Sequence, residues 1–196
     1  MAGNRTPDSE VRELTDAKTL SALANPHRSR IIDILAVHGP ATASAIAHRM
    51  EVAVGSVSHH LKVLAEVELV EEAPELAKDR RERWWRLASR STRWSRSDFT
   101  EDAAATSAAL AAESMALQKQ IDRARDWLAA SSLTDAWDVA AFATQTWVRL
   151  SPDELSDLAE ELISVVRCWR ERTDQADDGV ERRPVFFFAR GFPSEP

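Results

Sequence analysis

The run Val52-Ala-Val-Gly-Ser-Val-Ser-His-His-Leu-Lys-Val-Leu64 sorts its residues by chemistry when wound at 100° per residue. Val57, Leu61 and Leu64 fall on one side, flanked by Val54 and His60, while Gly55, His59 and Lys62 fall opposite, with Ser56 and Ser58 at the edges. Hydroxyls and an imidazole can bond to base edges or phosphates, and an ammonium can meet a phosphate or a guanine. Gly55 cannot read a base but lets the backbone approach closely. A polar face of such low relief suits the roughly 12 Å wide major groove of DNA. A second group is purely electrostatic. Lys78, Arg80, Arg81, Arg83, Arg86, Arg90, Arg93 and Arg96 stand against only Asp79 and Glu82 between residues 78 and 96. A polyanion would meet this local surplus, because charges more than about 8–10 Å away are largely screened at physiological salt.

The whole chain, by contrast, is acidic. Its 196 residues have a net charge of −7. The first hundred carry 15 basic and 14 acidic side chains, so the acidity belongs to the C-terminal half. A hydrophobic content of 44% is ordinary for a folded globular protein. Apolar runs such as Ala103–Ala112 and Val185–Ala189 fall far short of the roughly 20 residues that span a bilayer. Met1–Glu10 is polar and acidic where a signal peptide needs a basic start and an apolar core, so a cytoplasmic protein is expected. Cys168 is the only cysteine, which excludes an intrachain disulfide.

The elements that must hold the polar face follow from periodicity and punctuation. Val11, Leu14, Ala17, Leu20, Leu23 and Ala24 predict a helix over 10–24 that Asn25-Pro26 ends. A second helix runs from Pro26 to about His38, its apolar face Ile31, Ile32, Ile34 and Leu35, and Gly39-Pro40 stops it. Thr42 is an N-cap for a short third helix, Ala43–Met50, with Ala43, Ile46 and Ala47 inward; the run above is the fourth. Leu69–Ala73 and Arg83–Leu87 read as two strands joined by a charged segment, with one of the neighbours Trp84 and Trp85 facing the core and the other facing out. Residues 98–130 lack Gly and Pro and favour a long helix, in which Leu110, Ser114, Leu117, Ile121, Ala124 and Leu128 form a seam for another helix. Beyond it, Ala141–Leu150 and Pro184–Ala189 have strand character. Between them Ser151-Pro-Asp-Glu154 is a capping box that opens a helix with the stripe Leu155, Leu158, Leu162, Val165, Val166 and Trp169. The expected class is α+β: a winged helix-turn-helix over 10–97, a linking or dimerisation helix over 98–131, and a small α+β domain over 132–196.

Four helices followed by a basic two-stranded ribbon form the winged helix-turn-helix order. Over roughly residues 10–90 the sequence resembles the ArsR/SmtB family of bacterial transcription regulators, on the phrases Leu20-Ser-Ala-Leu-Ala-Asn-Pro-His-Arg-Ser-Arg-Ile-Ile-Asp-Ile-Leu35 and Ser56-Val-Ser-His-His-Leu-Lys-Val-Leu64, then Leu69-Val70. The resemblance implies a homodimer on double-stranded operator DNA. Ser56, Ser58, His59 and Lys62 would lie in the groove, Thr42 and Ser44 at phosphates, and Lys78, Arg80, Arg81 and Arg83 in the wing. Two positions depart from the family. Glu68 stands where a Gly usually follows the recognition helix, so either the turn is less sharp or Glu68 takes a positive φ. Ala53 replaces the usual Ser or Thr N-cap, forgoing roughly 1 kcal/mol.

Family-type metal sensing has no ligands here. The third-helix region reads Ala-Thr-Ala-Ser-Ala-Ile without a thiol, and all five histidines precede residue 61, so no metal and no cofactor are expected. His59 and His60 point about 100° apart on a helix and cannot chelate together; one is expected to face DNA and the other to pack. Trp127, Trp137, Trp147, Trp169 and Phe186–Phe188 are candidates to line a small apolar ligand pocket, and the plainer reading is that they fill a core and a dimer interface. No phosphate-binding Gly loop, Gly-x-Ser-x-Gly elbow, Cys-x-x-Cys or His-Glu-x-x-His occurs, so no catalytic residue is expected. The expected activity is repression of transcription. The rival is a winged helix that docks a protein, with Trp85 and the acidic half facing a basic partner.

Overall fold

The computed structural model describes residues 11–13, 17–79, 82–89, 91–93, 103–130 and 135–195. The chain divides into two units, residues 1–125 and 126–196.

In the first unit, β1 (Val11–Glu13) occupies the start of the segment expected to be helical. Only α1 (Ala17–Leu23) keeps the helical reading. Val11 shares the helical spacing of Ala17 and Leu20 but is β-branched and joins a ladder with Ser91, and Leu14 lies outside the described residues. Asn25 caps α2 (Pro26–His38) by accepting from the Arg28 N–H at 3.1 Å, with Pro26 in the first turn. The Arg28 guanidinium turns back to donate to the carbonyls of Ala22 (2.6 Å) and Ser21 (3.0 Å), satisfying acceptors that α1 leaves open. Gly39, at φ +73°, ends α2 in a conformation that disfavours a side chain. A two-residue strand, β2 (Ala41–Thr42), then leads into α3 (Ala43–Met50) and α4 (Val54–Glu66). β3 (Val70–Glu72) and β4 (Trp84–Leu87) form the ribbon, and β4 lies between β2 and β3 in an antiparallel sheet. Strand β2 was not foreseen, because two residues are too few to show a period. β5 (Ser91–Arg93) pairs in parallel with β1, Val11 opposite Ser91.

The core explains why these elements stay together. Leu20, Ile31, Ile46, Val57, Leu61 and Leu64 are fully buried, each worth about 1.5–3 kcal/mol of transfer free energy. Trp85 joins them from β4 at 6% exposure while Trp84 is only half-buried, as the alternation of a strand requires. Helix α5 (Ala103–Ala130) packs on this core through the small residues Ala109 and Ala112. Lys119 holds it there through Asp33 (2.8 Å) and Ser29 (2.9 Å) on α2, and Arg123 bonds the same carboxylate at 2.8 Å.

The second unit contains α6 (Ala136–Ala140), capped by Asp135, and α7 (Pro152–Asp174). The capping box of α7 is complete: Ser151 Oγ accepts from the Glu154 N–H at 3.2 Å, and Glu154 Oε2 accepts from the Ser151 N–H at 2.7 Å. That bonding holds the exposed Glu154 carboxyl below its ordinary range. The expected strands Ala141–Leu150 and Pro184–Ala189 join no ladder; both run without helix, turn or bend. Alternation reports the conformation that a segment favours, whereas a ladder also needs a neighbouring strand, and none is in place within this unit. The α+β character therefore resides in the first unit. No helix among the described residues is long and apolar enough to cross a membrane.

Candidate nucleic-acid interface

Helices α3 and α4 are joined by a tight corner. Glu51 adopts the left-handed region at φ 59°, and the N–H groups of Glu51 and Val52 return to the carbonyls of His48 (3.4 Å) and Ala47 (3.1 Å). Ala53 stands at the N-cap of α4 and offers no side-chain cap, and the helix is followed by Glu68 at φ 54°. Both departures noted in the sequence are thus present, and the turn keeps its sharpness with Glu68 in a region glycine favours. Val57, Leu61 and Leu64 anchor α4 in the core. On the other side Gly55, Ser56, His59 and Lys62 are exposed and Ser58 is half-exposed, all over about two helical turns. Space around Gly55 is open: a Cβ built there meets nothing within 4 Å.

Thr42 and Ser44 flank this face at the start of α3. Thr42 is half-buried and its Oγ1 accepts from the Ala45 N–H at 3.2 Å, so its hydroxyl proton is what remains for a phosphate. Ser44 is exposed.

The histidine pair divides as the helix geometry demands. His59 is exposed; His60 turns inward and stacks on His27 with ring centroids 5.4 Å apart and planes 21° from parallel. The His60 Nδ1 is buried and has no hydrogen-bond partner among the described residues. Desolvation foremost, then the neighbouring His27, Arg28 and His59, pull its pKa below the ordinary imidazole value. His27 is a partner that the sequence did not single out; it lies one residue past the N1 proline of α2, and only the packing of α2 on α4 reveals it.

The wing is less basic than its composition promised. Arg86 is clamped between Glu71, at 2.7 Å, and Glu75, and these bonds raise its pKa. Arg83 lies 3.6 Å from Glu72. Glu71 stands directly across from Arg86 in the β3–β4 register, so this pairing was legible as a cross-strand charge pair. Asp79 accepts from the Glu82 N–H at 3.1 Å, and Glu82 accepts from the Lys78 N–H (3.1 Å) and Trp84 Nε1 (3.3 Å). The Lys78 side chain is exposed. Arg80 and Arg81 lie outside the described residues.

Other candidate sites are not assembled. Trp147, Trp169 and Phe186–Phe188 are exposed, with the Arg172 guanidinium 4.5 Å over Trp169 and that of Arg183 5.7 Å over Trp137. Among the described residues no cluster of three or more His, Cys, Asp or Glu side chains is placed to hold a metal ion.

Residues 23–73 match the family model described as "Helix-turn-helix domain". Within the first unit, the helix-turn-helix and the ribbon formed by β3 and β4 together make a winged helix-turn-helix arrangement. Among solved structures, the chain is similar to the homodimeric winged helix-turn-helix DNA-binding domain of Mb0332 from Mycobacterium bovis, described as a possible ArsR-family transcriptional regulator. The two are 28% identical over 38% of this chain and 65% of that one, with a TM-score of 0.33. It is also similar to HlyU from Vibrio cholerae, 24% identical over 38% of this chain and 74% of that one, with a TM-score of 0.33. The MarR family regulator NMB1585 from Neisseria meningitidis is 16% identical over 77% of this chain and 80% of that one, with a TM-score of 0.35. This chain thus spans just under two thirds of the length of Mb0332. No curated protein matches the chain.

Proposed function

We propose that the protein is a homodimeric repressor that occupies a pseudo-palindromic operator and blocks access to a promoter. One observation carries the reading: among the described residues the side chains of Ser56, Ser58 and Lys62 make no hydrogen bond or ion pair, and that of His59 makes only its ring contact with His60. Four polar side chains without a hydrogen bond or ion pair to any other described residue, on a helix that Val57, Leu61 and Leu64 anchor in the core, are available for base edges. A helix about 10–12 Å across fits the major groove, and two copies would reach half-sites about one helical turn, or 34 Å, apart. Thr42 and Ser44 meet phosphates, and Lys78, Arg80, Arg81 and Arg83 lie along the flanking backbone.

Residues 10–97 serve in this account as the DNA-binding part and 98–131 as a dimerisation helix. Leu110 and Leu117, on the seam of α5, are 53% and 41% exposed although Ala109 and Ala112 are buried, which leaves the seam available to a second chain.

Substituting Ser58 or His59 is expected to change which operator base is preferred, whereas neutralising Lys78, Arg80, Arg81 and Arg83 weakens binding to all sequences and lowers the salt slope by about 0.9 per lost phosphate contact. A uniform loss for Ser58→Ala and His59→Ala across a library of sites contradicts base readout by α4. Negligible DNA affinity of the unmodified protein would favour the protein-docking reading instead.

A further inference from the structure

Segment 141–150 lies between α6 and α7 without helix, turn or bend, joins no ladder, and contains no Gly, Pro or Lys. Strand edges of soluble proteins are commonly blunted with Pro, Lys, bulges or a covering element, and an unblunted edge is a template for another chain. We propose that residues 141–150 pair antiparallel with the same residues of a second copy, about a two-fold axis at Thr146, so that the C-terminal units form an intermolecular sheet. This rests on the homodimer proposed above but not on its DNA binding.

Self-complementarity identifies the occupant. With Thr146 opposite its own copy, Phe142 meets Leu150 and Thr144 meets Val148, so the apolar-and-threonine face continues unbroken across the axis. A register one residue away would set that face against Ala143, Gln145, Trp147 and Arg149. In the register proposed, Arg149, the only charge in the segment, lies opposite Ala143, and no like charges meet. Isologous pairing of this kind is what a two-fold dimer requires.

The surface available fits a second copy in size as well. Phe142 and Trp147 are 76% and 63% exposed and together offer roughly 300 Å², at 150–250 Å² per aromatic side chain. A standard interface hides about 800 Å² per partner. Val148, Leu150 and, on α7, Leu162 and Trp169 are also exposed and can supply the rest.

The experiment uses the full-length chain with Cys168→Ser, since that cysteine is exposed. In an antiparallel pair directly opposed Cα atoms lie about 4.5–5.5 Å apart, within the 4.4–6.8 Å of a disulfide. Thr146→Cys is therefore expected to cross-link under mild oxidation at least about tenfold faster than Ser156→Cys on α7. Thr146→Pro, with circular dichroism to check that α7 remains helical, is expected to weaken the sedimentation dimer by about tenfold or more, since proline removes a ladder donor. A dimer in which Thr146→Cys links no faster than Ser156→Cys overturns the strand pairing and leaves the homodimer standing. A monomer at all concentrations overturns both.

Discussion

The two units spend the same kinds of residue differently. In residues 17–125 the large apolar side chains meet one another, and Leu20, Ile31, Val57, Leu61 and Leu64 lose all contact with water. In residues 135–195 no described side chain is buried, although this stretch holds Phe142, Trp147, Trp169 and Phe186–Phe188. A hydrophobic sequence therefore does not by itself make a core. The first unit closes because four helices and a ribbon face one another within one chain, whereas the second presents the short α6, the amphipathic α7 and two unladdered segments, too few facing layers to enclose a core.

That contrast can be broken most sharply by matched truncations. Leu61→Ala is expected to cost about 2–5 kcal/mol in urea unfolding, enough to remove most of the stability of a small domain. Leu162→Ala, at a site 40% exposed, is expected to cost less than about 1 kcal/mol in dilute chain. Equal losses would mean that α7 is covered within one copy. On the surface of the first unit, Gly55→Ala is expected to leave stability unchanged or raise it by up to about 1 kcal/mol, because the site is open and alanine favours helix. Its affinity for operator DNA is expected to fall about tenfold if the backbone of α4 approaches the bases closely. A variant with undiminished binding removes that close approach.

Smaller in size is the effect of pH. The folded pKa of His60 lies below the 6.5 of a free imidazole, so the unfolded chain takes up a proton that the folded chain resists. Stability from this group is complete above 6.5 and declines as pH falls through the window beneath it. His60→Phe keeps a ring against His27 and is expected to flatten the decline in melting temperature between about pH 7.5 and 5.5. The same slope in both proteins would assign the pH dependence to other groups. Smallest of all, Arg86→Ala is expected to shift stability by no more than about 1 kcal/mol, since its two carboxylate partners are solvent-exposed.

Much of the first unit was legible in the sequence for local reasons. Asn25-Pro26, Gly39 and Thr42 punctuate helices through their own backbone preferences and caps, and the polar face of α4 follows from counting at 100° per residue. What was hidden depends on distant chain. The β1–β5 pairing joins residues 80 apart in sequence, the stacking of His27 on His60 depends on how two helices cross, and the wing lost part of its positive charge to Glu71, Glu72 and Glu75. The last of these could have been read by aligning β3 with β4 in register. The C-terminal segments show the complementary failure: the alternation of Ala141–Leu150 and the β-propensity of Pro184–Ala189 predicted strands that the structure does not contain, because pairing belongs to the neighbour rather than to the segment.

The central claim is that α4 presents an unoccupied face to a specific DNA sequence. Fluorescence anisotropy with the duplex immediately upstream of the protein's own gene, against a shuffled duplex, at low and at physiological salt, tests it most directly. The account predicts tight binding that prefers the upstream sequence and survives physiological salt. Equal binding to both duplexes that disappears as salt rises would show only charge attraction and would contradict it.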